Sequence, residues 1–390
     1  MVSLATADNV LKSFYLDAIV DSLDYNTNAF LAQIEKTAQN VVGKDVQRVV
    51  RYGYNGGVGA GTETGTLPKS RTNNYVKFVA PLKNIYGTIE ISDKALRAGN
   101  GQEGSLVNLL NEEMDSLVKS ASVNFARMLY GDGTGFIGKI VDSNGNNVTL
   151  DSVKNVVEGM ILDVHNLSGV YLDIPSGRQV LKVDRDTNTI TLSGNSIDSA
   201  YLSENFKMYA QGSKGNELTG LGAIFGNSST LYGVTRESNP CLQPYKQTDV
   251  GELTELTLQT AIDKIEEYSG GKVNFIVCSW GVKRALAKAM REGNAVLTSM
   301  ELKGGYNALS FNGIPVVADR FCPEGRMYLL NTNDFKLHQL CDWQWLEGQD
   351  GKILRQVESK PVFTATLVKY AELICDRPNG QGMLSGITEA

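Results

Sequence analysis

Histidine is scarce in this chain: only His165 and His338 occur among 390 residues. They lie far apart and in different expected lobes, which leaves a Ser-His-Asp triad or a histidine-rich metal site without support. Both read as ordinary polar histidines, at the surface or partly buried. Cysteine is nearly as sparse, with Cys241, Cys278, Cys322, Cys341 and Cys375. None forms a C-x-x-C pair, and an odd number at wide spacing reads as buried free thiols in a reducing compartment. A redox or zinc role is not expected. Long apolar runs are missing too: no stretch approaches the roughly 20 residues needed to span a bilayer. The opening residues, Met1 to Asp8, have neither a basic start nor an apolar run, so no signal peptide is expected and the chain reads as soluble and cytoplasmically made. Nor is there an excess of positive charge. Thirty-seven Lys and Arg against 43 Asp and Glu leave a net charge of -6. A dedicated DNA-wrapping protein needs dense cations to displace counterions from phosphate, and this chain lacks them. Local basic patches still permit weak contact with packed nucleic acid.

What is present is the composition of a folded protein: 42% hydrophobic and 21% charged residues, over a length that suggests two or three lobes. Residues 1–42 read as an arm with one or two helices, the first around 17–23. Asn26 or Asn28 is placed to cap a second over 29–37, where Phe30, Leu31 and Ile34 recur on one face. Residues 46–52 read as a strand. A glycine-rich stretch over 53–70 follows, containing Gly56, Gly57, Gly59, Gly61 and Gly65, and residues 75–80 return as a strand. The pattern is a long β-hairpin with a tip too poor in large apolar residues to pack on its own chain; such a tip is mobile or ordered by a neighbour.

The strongest helix pattern runs over 103–128, where Leu106, Leu109, Leu110, Leu117, Ala121, Phe125 and Met128 form one stripe. Acidic residues lie towards its start and Lys119 and Arg127 towards its end, as the helix dipole favours, and Gly131 stops it. Residues 139–212 switch to short strands and turns, with Asn144-Gly145 as a hairpin signal and strands at 180–184 and 189–192. From Leu253 α/β character returns: a helix through Leu258, Ala261, Ile262 and Ile265 ended by Gly270-Gly271, a buried strand at 273–278, then a helix capped by Ser279 with Gly293 as its stop. Strands are expected at 314–318, 326–330 and 336–340. A hairpin over 343–375 turning at 348–351 closes the pattern, its last strand around 363–370.

Chemical motifs are weak. Gly57-Val58-Gly59-Ala60-Gly61 continues as Thr62-Glu63-Thr64 and is followed by a strand, which fits neither a Walker loop nor a dinucleotide fingerprint. Asp184-Arg185-Asp186-Thr187-Asn188 opens like a calcium loop, but Thr189 and Asn195 stand where glycine and glutamate are needed, so it reads as a polar turn. Trp343-Gln344-Trp345 reads as a pair that packs across a strand or at a subunit interface, with the subunit's own core as the alternative place for Trp345. No paired carboxylates stand out. No catalytic, cofactor-binding or metal-ligating residue is assigned, and no cofactor is expected.

The order of parts carries a resemblance. Thr64-Gly65-Thr66-Leu67-Pro68 with Val76-Lys77-Phe78-Val79-Ala80-Pro81-Leu82-Lys83, then Ile91-Ser92-Asp93-Lys94-Ala95-Leu96 and the helix ending Leu129-Tyr130-Gly131-Asp132-Gly133, resemble the major capsid proteins of tailed phages. So do Phe311-Asn312-Gly313-Ile314-Pro315-Val316-Val317-Ala318-Asp319 and Arg326-Met327-Tyr328-Leu329-Leu330-Asn331. That fold is shared with encapsulin shells and the herpesvirus capsid floor. The resemblance implies an α+β capsid subunit: an N-terminal arm (1–45), an extended β-hairpin loop (46–91), a peripheral domain with a spine helix (92–138 and 321–390), an inserted β-rich domain (139–212) and an axial domain (213–320). It implies a structural protein, not an enzyme, assembling with itself into hexamers and pentamers of an icosahedral head around double-stranded DNA. A separate scaffolding protein, a portal and a decoration protein are its implied partners, with no membrane. Its place would be the virion, assembled in the host bacterial cytoplasm. The chain departs from the family's simplest members at 139–212 and has no charged N-terminal coiled coil. Lys69 and Lys77 lie where some members crosslink, but the matching asparagine and glutamate are not found. The rival readings are an encapsulin-type shell and, from another class, a soluble β-rich hydrolase or sugar-binding protein, which would need a polar cleft.

Overall fold

The structure is a computed structural model that describes residues 28–94, 103–165, 177–197, 206–292, 299–301, 306–348 and 351–390. The helix expected around 17–23, Asn26 as a cap and Gly293 as a stop lie outside those residues.

The longest element is helix α1, Glu103–Tyr130, 28 residues and so about 42 Å long. Its C-terminal half buries Val118, Phe125, Ala126, Met128 and Leu129. Strand Lys83–Ser92 lies against it, and Gly87 makes the close approach possible: a Cβ there would sit 2.9 Å from Leu117 Cδ1. The strand itself alternates, with Ile85, Ile89 and Ile91 inward. It pairs antiparallel with Val362–Cys375, from Ser92 opposite Val362 to Lys83 opposite Ala371. Phe335–Trp345 flanks the same long strand, and Glu35–Thr37 adds in parallel at the edge. This five-stranded sheet and α1 enclose the main core, which includes Phe30, Phe125, Phe335, Leu337, Leu367 and Leu373.

The long hairpin pairs Asp45–Tyr52 with Asn74–Pro81. Val76, Phe78 and Ala80 point inward and pack with Val46, Leu231, Tyr232, Leu242 and Ile374. Six short strands between Phe136 and Ala210 close into a barrel. Its inside is filled by Ile140, Val148, Val180, Ile190, Leu192 and Met208, so it is a packed core and not a pore. Asn144-Gly145 turns as expected, with Gly145 at φ +65°. Asp184 Oδ1 accepts from the backbone N–H of Asp186 (3.1 Å) and Thr187 (3.3 Å), which makes that segment the polar turn its residues suggested.

A seven-stranded sheet forms the remaining lobe. Its order is Tyr245–Gln247, Gly382–Leu384, Met327–Leu330, Phe275–Cys278, Ile314–Ala318, Asn307–Phe311, Ser299–Glu301. Helix α2, Glu255–Ser269, accompanies it, capped by Thr254 Oγ1 (3.1 Å from Thr257 N) and ended by Gly270 at φ +63°. Helix α3, Trp280–Glu292, follows Phe275–Cys278.

Several expectations need correction. The helix expected over 29–37 is a single turn, Leu31–Gln33; Asn28 Oδ1 does accept from Phe30 N and Leu31 N (2.9 and 3.0 Å), but the chain then extends. Strand Glu35–Thr37 gains ladder bonds along the edge of Phe335–Trp345, which a short helix there would forgo. The extended loop does not include residues 83–91, because that strand leaves the hairpin for the main sheet. The boundary drawn at 320/321 cuts through a sheet, since Met327–Leu330 and Gly382–Leu384 sit between strands of the 245–318 region. The strand at 336–340 and the start of the terminal hairpin are one strand, Phe335–Trp345, with irregularities between Gln339 and Cys341 and between Cys341 and Gln344. Both histidines are buried, not superficial.

Candidate assembly surface

The hairpin's residues divide it into a fastened root and an unsupported tip. At the root, Arg48 forks onto Asp376 through Nε (3.0 Å) and Nη2 (2.7 Å). Val79 N donates to Tyr232 O (2.9 Å), and the rings of Phe78 and Tyr232 stand 5.4 Å apart. Tyr232 is itself held: its hydroxyl donates to Leu373 O (3.2 Å) and accepts from Cys375 N (3.1 Å). Burial raises that phenol well above its usual range, so it stays a donor.

The tip, residues 53–73, has no regular structure. Tyr54, Val58 and Leu67 are 98%, 89% and 88% exposed. Its own bonds are local, such as Gly57 N to Asn55 Oδ1 (2.9 Å) and Gly65 N to Thr62 O (3.1 Å). Burying such side chains against another surface is worth about 1.5–3 kcal/mol each. Val49 and Tyr75, on the hairpin's outward face, are exposed as well. The arrangement offers an extended, glycine-rich arm with a few exposed apolar side chains on a bonded root. Lys69 and Lys77 are exposed, at the tip and on the outer face.

The tryptophans are not part of this surface. Trp343 and Trp345 are 2% and 5% exposed and belong to the main core. The edge of Trp343 meets Phe125 at 6.0 Å. Lys369, fully buried, lies 5.5 Å from the centroids of both rings and donates to Gln339 Oε1 (3.1 Å) and to the Asp342 carboxylate. The interface expectation is therefore wrong and the core alternative holds: both rings are buried in the main core, Trp343 against Phe125 of α1.

Other polar groups serve the fold. Arg127 near the end of α1 forms a buried ion pair with Glu217. A cavity of about 690 Å³ lies among α1, the barrel and the seven-stranded sheet. Its two lysines are engaged in the fold: Lys154 Nζ donates to Cys322 O (2.7 Å) and Lys246 Nζ to Asn227 Oδ1 (2.8 Å). Among the described residues no group of three or more His, Cys, Asp or Glu is placed to hold a metal ion. Cys278, Cys322 and Cys375 are buried, Cys241 and Cys341 half-buried, and all five are free thiols. Burial pushes the Cys278 thiol up to about 12, which leaves it unreactive. Sequence reading missed the Arg127–Glu217 pair, and also His338 and Glu372, which the sheet places opposite one another.

Comparison with known proteins agrees with this geometry. Residues 184–352 match the family model of the SU10 major capsid protein. The fold is similar to a chain of the cyanophage A-1(L) capsid asymmetric unit, with a TM-score of 0.54 and 12% identity over 95% of this chain and 92% of that one. A Mycobacterium phage Bobi structure matches at TM-score 0.47 and 10% identity over 100% of both chains. An encapsulin from Synechococcus elongatus PCC 7942 matches at 0.44 and 9%, covering 81% of this chain and 78% of that one. A 139-residue stretch is 26% identical to an IgA-specific serine endopeptidase autotransporter of Neisseria gonorrhoeae, and it spans 32% of this chain and only 9% of that protein. The fold is that of a capsid shell subunit. Residues 184–352, less than half of the chain, carry the similarity to that phage capsid protein family.

Proposed function

We propose that the chain builds the icosahedral head of a tailed phage, assembling as hexamers and pentamers around double-stranded DNA in the bacterial host's cytoplasm and remaining in the virion. The role is structural. In this reading α1 is the spine of a peripheral domain with the five-stranded sheet, the seven-stranded sheet with α2 and α3 is the axial domain, and the barrel is an insertion on the outer face. A scaffolding protein, a portal and a decoration protein are the partners such a head calls for. One observation carries the reading: a hairpin whose root is bonded to the body while Tyr54, Val58 and Leu67 at its tip stay exposed among the described residues. Replacing residues 55–71 by a short Gly/Ser turn tests it. The variant is expected to melt like the parent yet sediment as a monomer where the parent forms large assemblies. Assembly undiminished without the tip would overturn it.

A further inference from the structure

His338 and Glu372 face each other across the main sheet, and each is fully buried. Both point to the side of the sheet that carries Ile374, where the hairpin root packs. His338 Nδ1 lies 2.8 Å from the carbonyl oxygen of Gln39. A carbonyl only accepts, so Nδ1 bears the hydrogen and a neutral ring keeps its Nε2 as an acceptor. Glu372 Oε1 accepts from the backbone N–H of Thr219 (2.7 Å) and Leu373 (3.1 Å). His338 Nε2 and Glu372 Oε2 are left as buried polar atoms with no hydrogen-bond partner. Residues directly opposite on antiparallel strands have Cβ atoms about 5 Å apart, within reach of a small side-chain adjustment.

We propose that one proton, carried on Glu372 Oε2 and donated to His338 Nε2, closes a pH-operated latch at the root of the hairpin. A single proton satisfies both atoms at once. With none, a carboxylate faces a ring lone pair; with two, a buried imidazolium faces an acid that has lost its acceptor. The surroundings suit the one-proton state. Burial pushes Glu372 up to about 7, against the opposing N–H of Thr219 and the charge of Lys83; Tyr232 also faces it. Burial likewise pulls His338 down, with Arg48 and Lys336 adding to the effect and the Gln39 carbonyl and Asp376 opposing it; Glu35 stands nearby.

The direction in pH follows. Glu372 is harder to ionise in the folded chain, so its contribution is complete below its ordinary range of 4.5 and is lost as pH rises through about 7. His338 is harder to protonate, so its contribution is complete above 6.5 and is lost as pH falls through its depressed value. The latch is therefore closed between that depressed value and about 7. What it fastens is specific. Gln39 leads through Val41–Val42 into hairpin strand Asp45–Tyr52. Thr219 stands two residues beyond Glu217, the partner of Arg127 on α1. One proton thus ties the hairpin's approach and the end of α1 to the same sheet, and its loss loosens the hairpin root.

Hydrogen exchange on the unassembled chain tests this independently of shell formation. After correction for intrinsic rates, amides of Asp45–Tyr52 and Asn74–Pro81 are expected to exchange about tenfold faster at about pH 8 than at about pH 6. In Glu372→Gln the side-chain amide supplies a permanent donor, so the slow rate should persist at both values. A parent ratio near one, or a variant that keeps the parent's ratio, overturns the proposal. If the variant does not fold, nitrogen NMR of the parent decides: the His338 Nε2 shift should change over the same pH interval as hairpin exchange. A shift that titrates elsewhere, or not at all, overturns the latch.

Discussion

At the residue scale, Trp345 shows how one side chain can support two opposite accounts. A Trp-Gln-Trp triplet on a strand places both rings on one face, and that face is equally suited to a partner or to the chain's own core. Here it is the core, where Trp343 meets Phe125 and Lys369 is buried over both rings. Truncating Trp345 to Ala should therefore cost the unassembled subunit roughly 3–5 kcal/mol, as large aromatic deletions in cores do. Thermal melting of that subunit checks it; an unchanged midpoint with weakened assembly would restore the interface role. Lys369 and Arg127 follow the same logic. Each is a buried cation whose carboxylate partner comes from another element, Asp342 from the neighbouring strand and Glu217 from 90 residues along the chain. Charge counting cannot find such pairs, because it sees neither burial nor proximity.

At the scale of elements, the local signals were legible. Helix α1 came from its apolar stripe and glycine stop, the hairpin from its paired strands and glycine tip, and the 144–145 turn from Asn-Gly. What was not legible depends on pairing between distant segments. Glu35–Thr37 is a strand only because Phe335–Trp345 offers it an edge. Met327–Leu330 belongs to a sheet that its neighbours in sequence do not reveal. His338 and Glu372 face each other across a strand pair with two irregularities, so counting back from the turn gives the wrong register. The barrel, by contrast, closes on itself and has its own core. Replacing residues 136–210 by a Gly/Ser linker should leave the rest folded, because among the described residues the closed barrel shares no ladder with the other sheets. Circular dichroism and melting of that variant check it. Lost helix signal would show that the Phe136 end supports α1 after all.

For the whole molecule, bonded body and unbonded arm are one design. The sheets and α1 make a rigid mount, fastened at Arg48–Asp376 and Tyr232. Tyr54, Val58 and Leu67 at the tip stay exposed among the described residues, which leaves them free to meet another surface. A shell of many identical subunits in slightly different positions needs contacts that flex at an arm while the mount stays fixed. Lys154 and Lys246, which line the 690 Å³ cavity at the junction of the lobes, are bonded within the fold. The most direct measurement is negative-stain electron microscopy of the purified chain at increasing concentration. The account predicts closed shells, tubes or free hexamers and pentamers. A monomer that stays monodisperse at every concentration would contradict it.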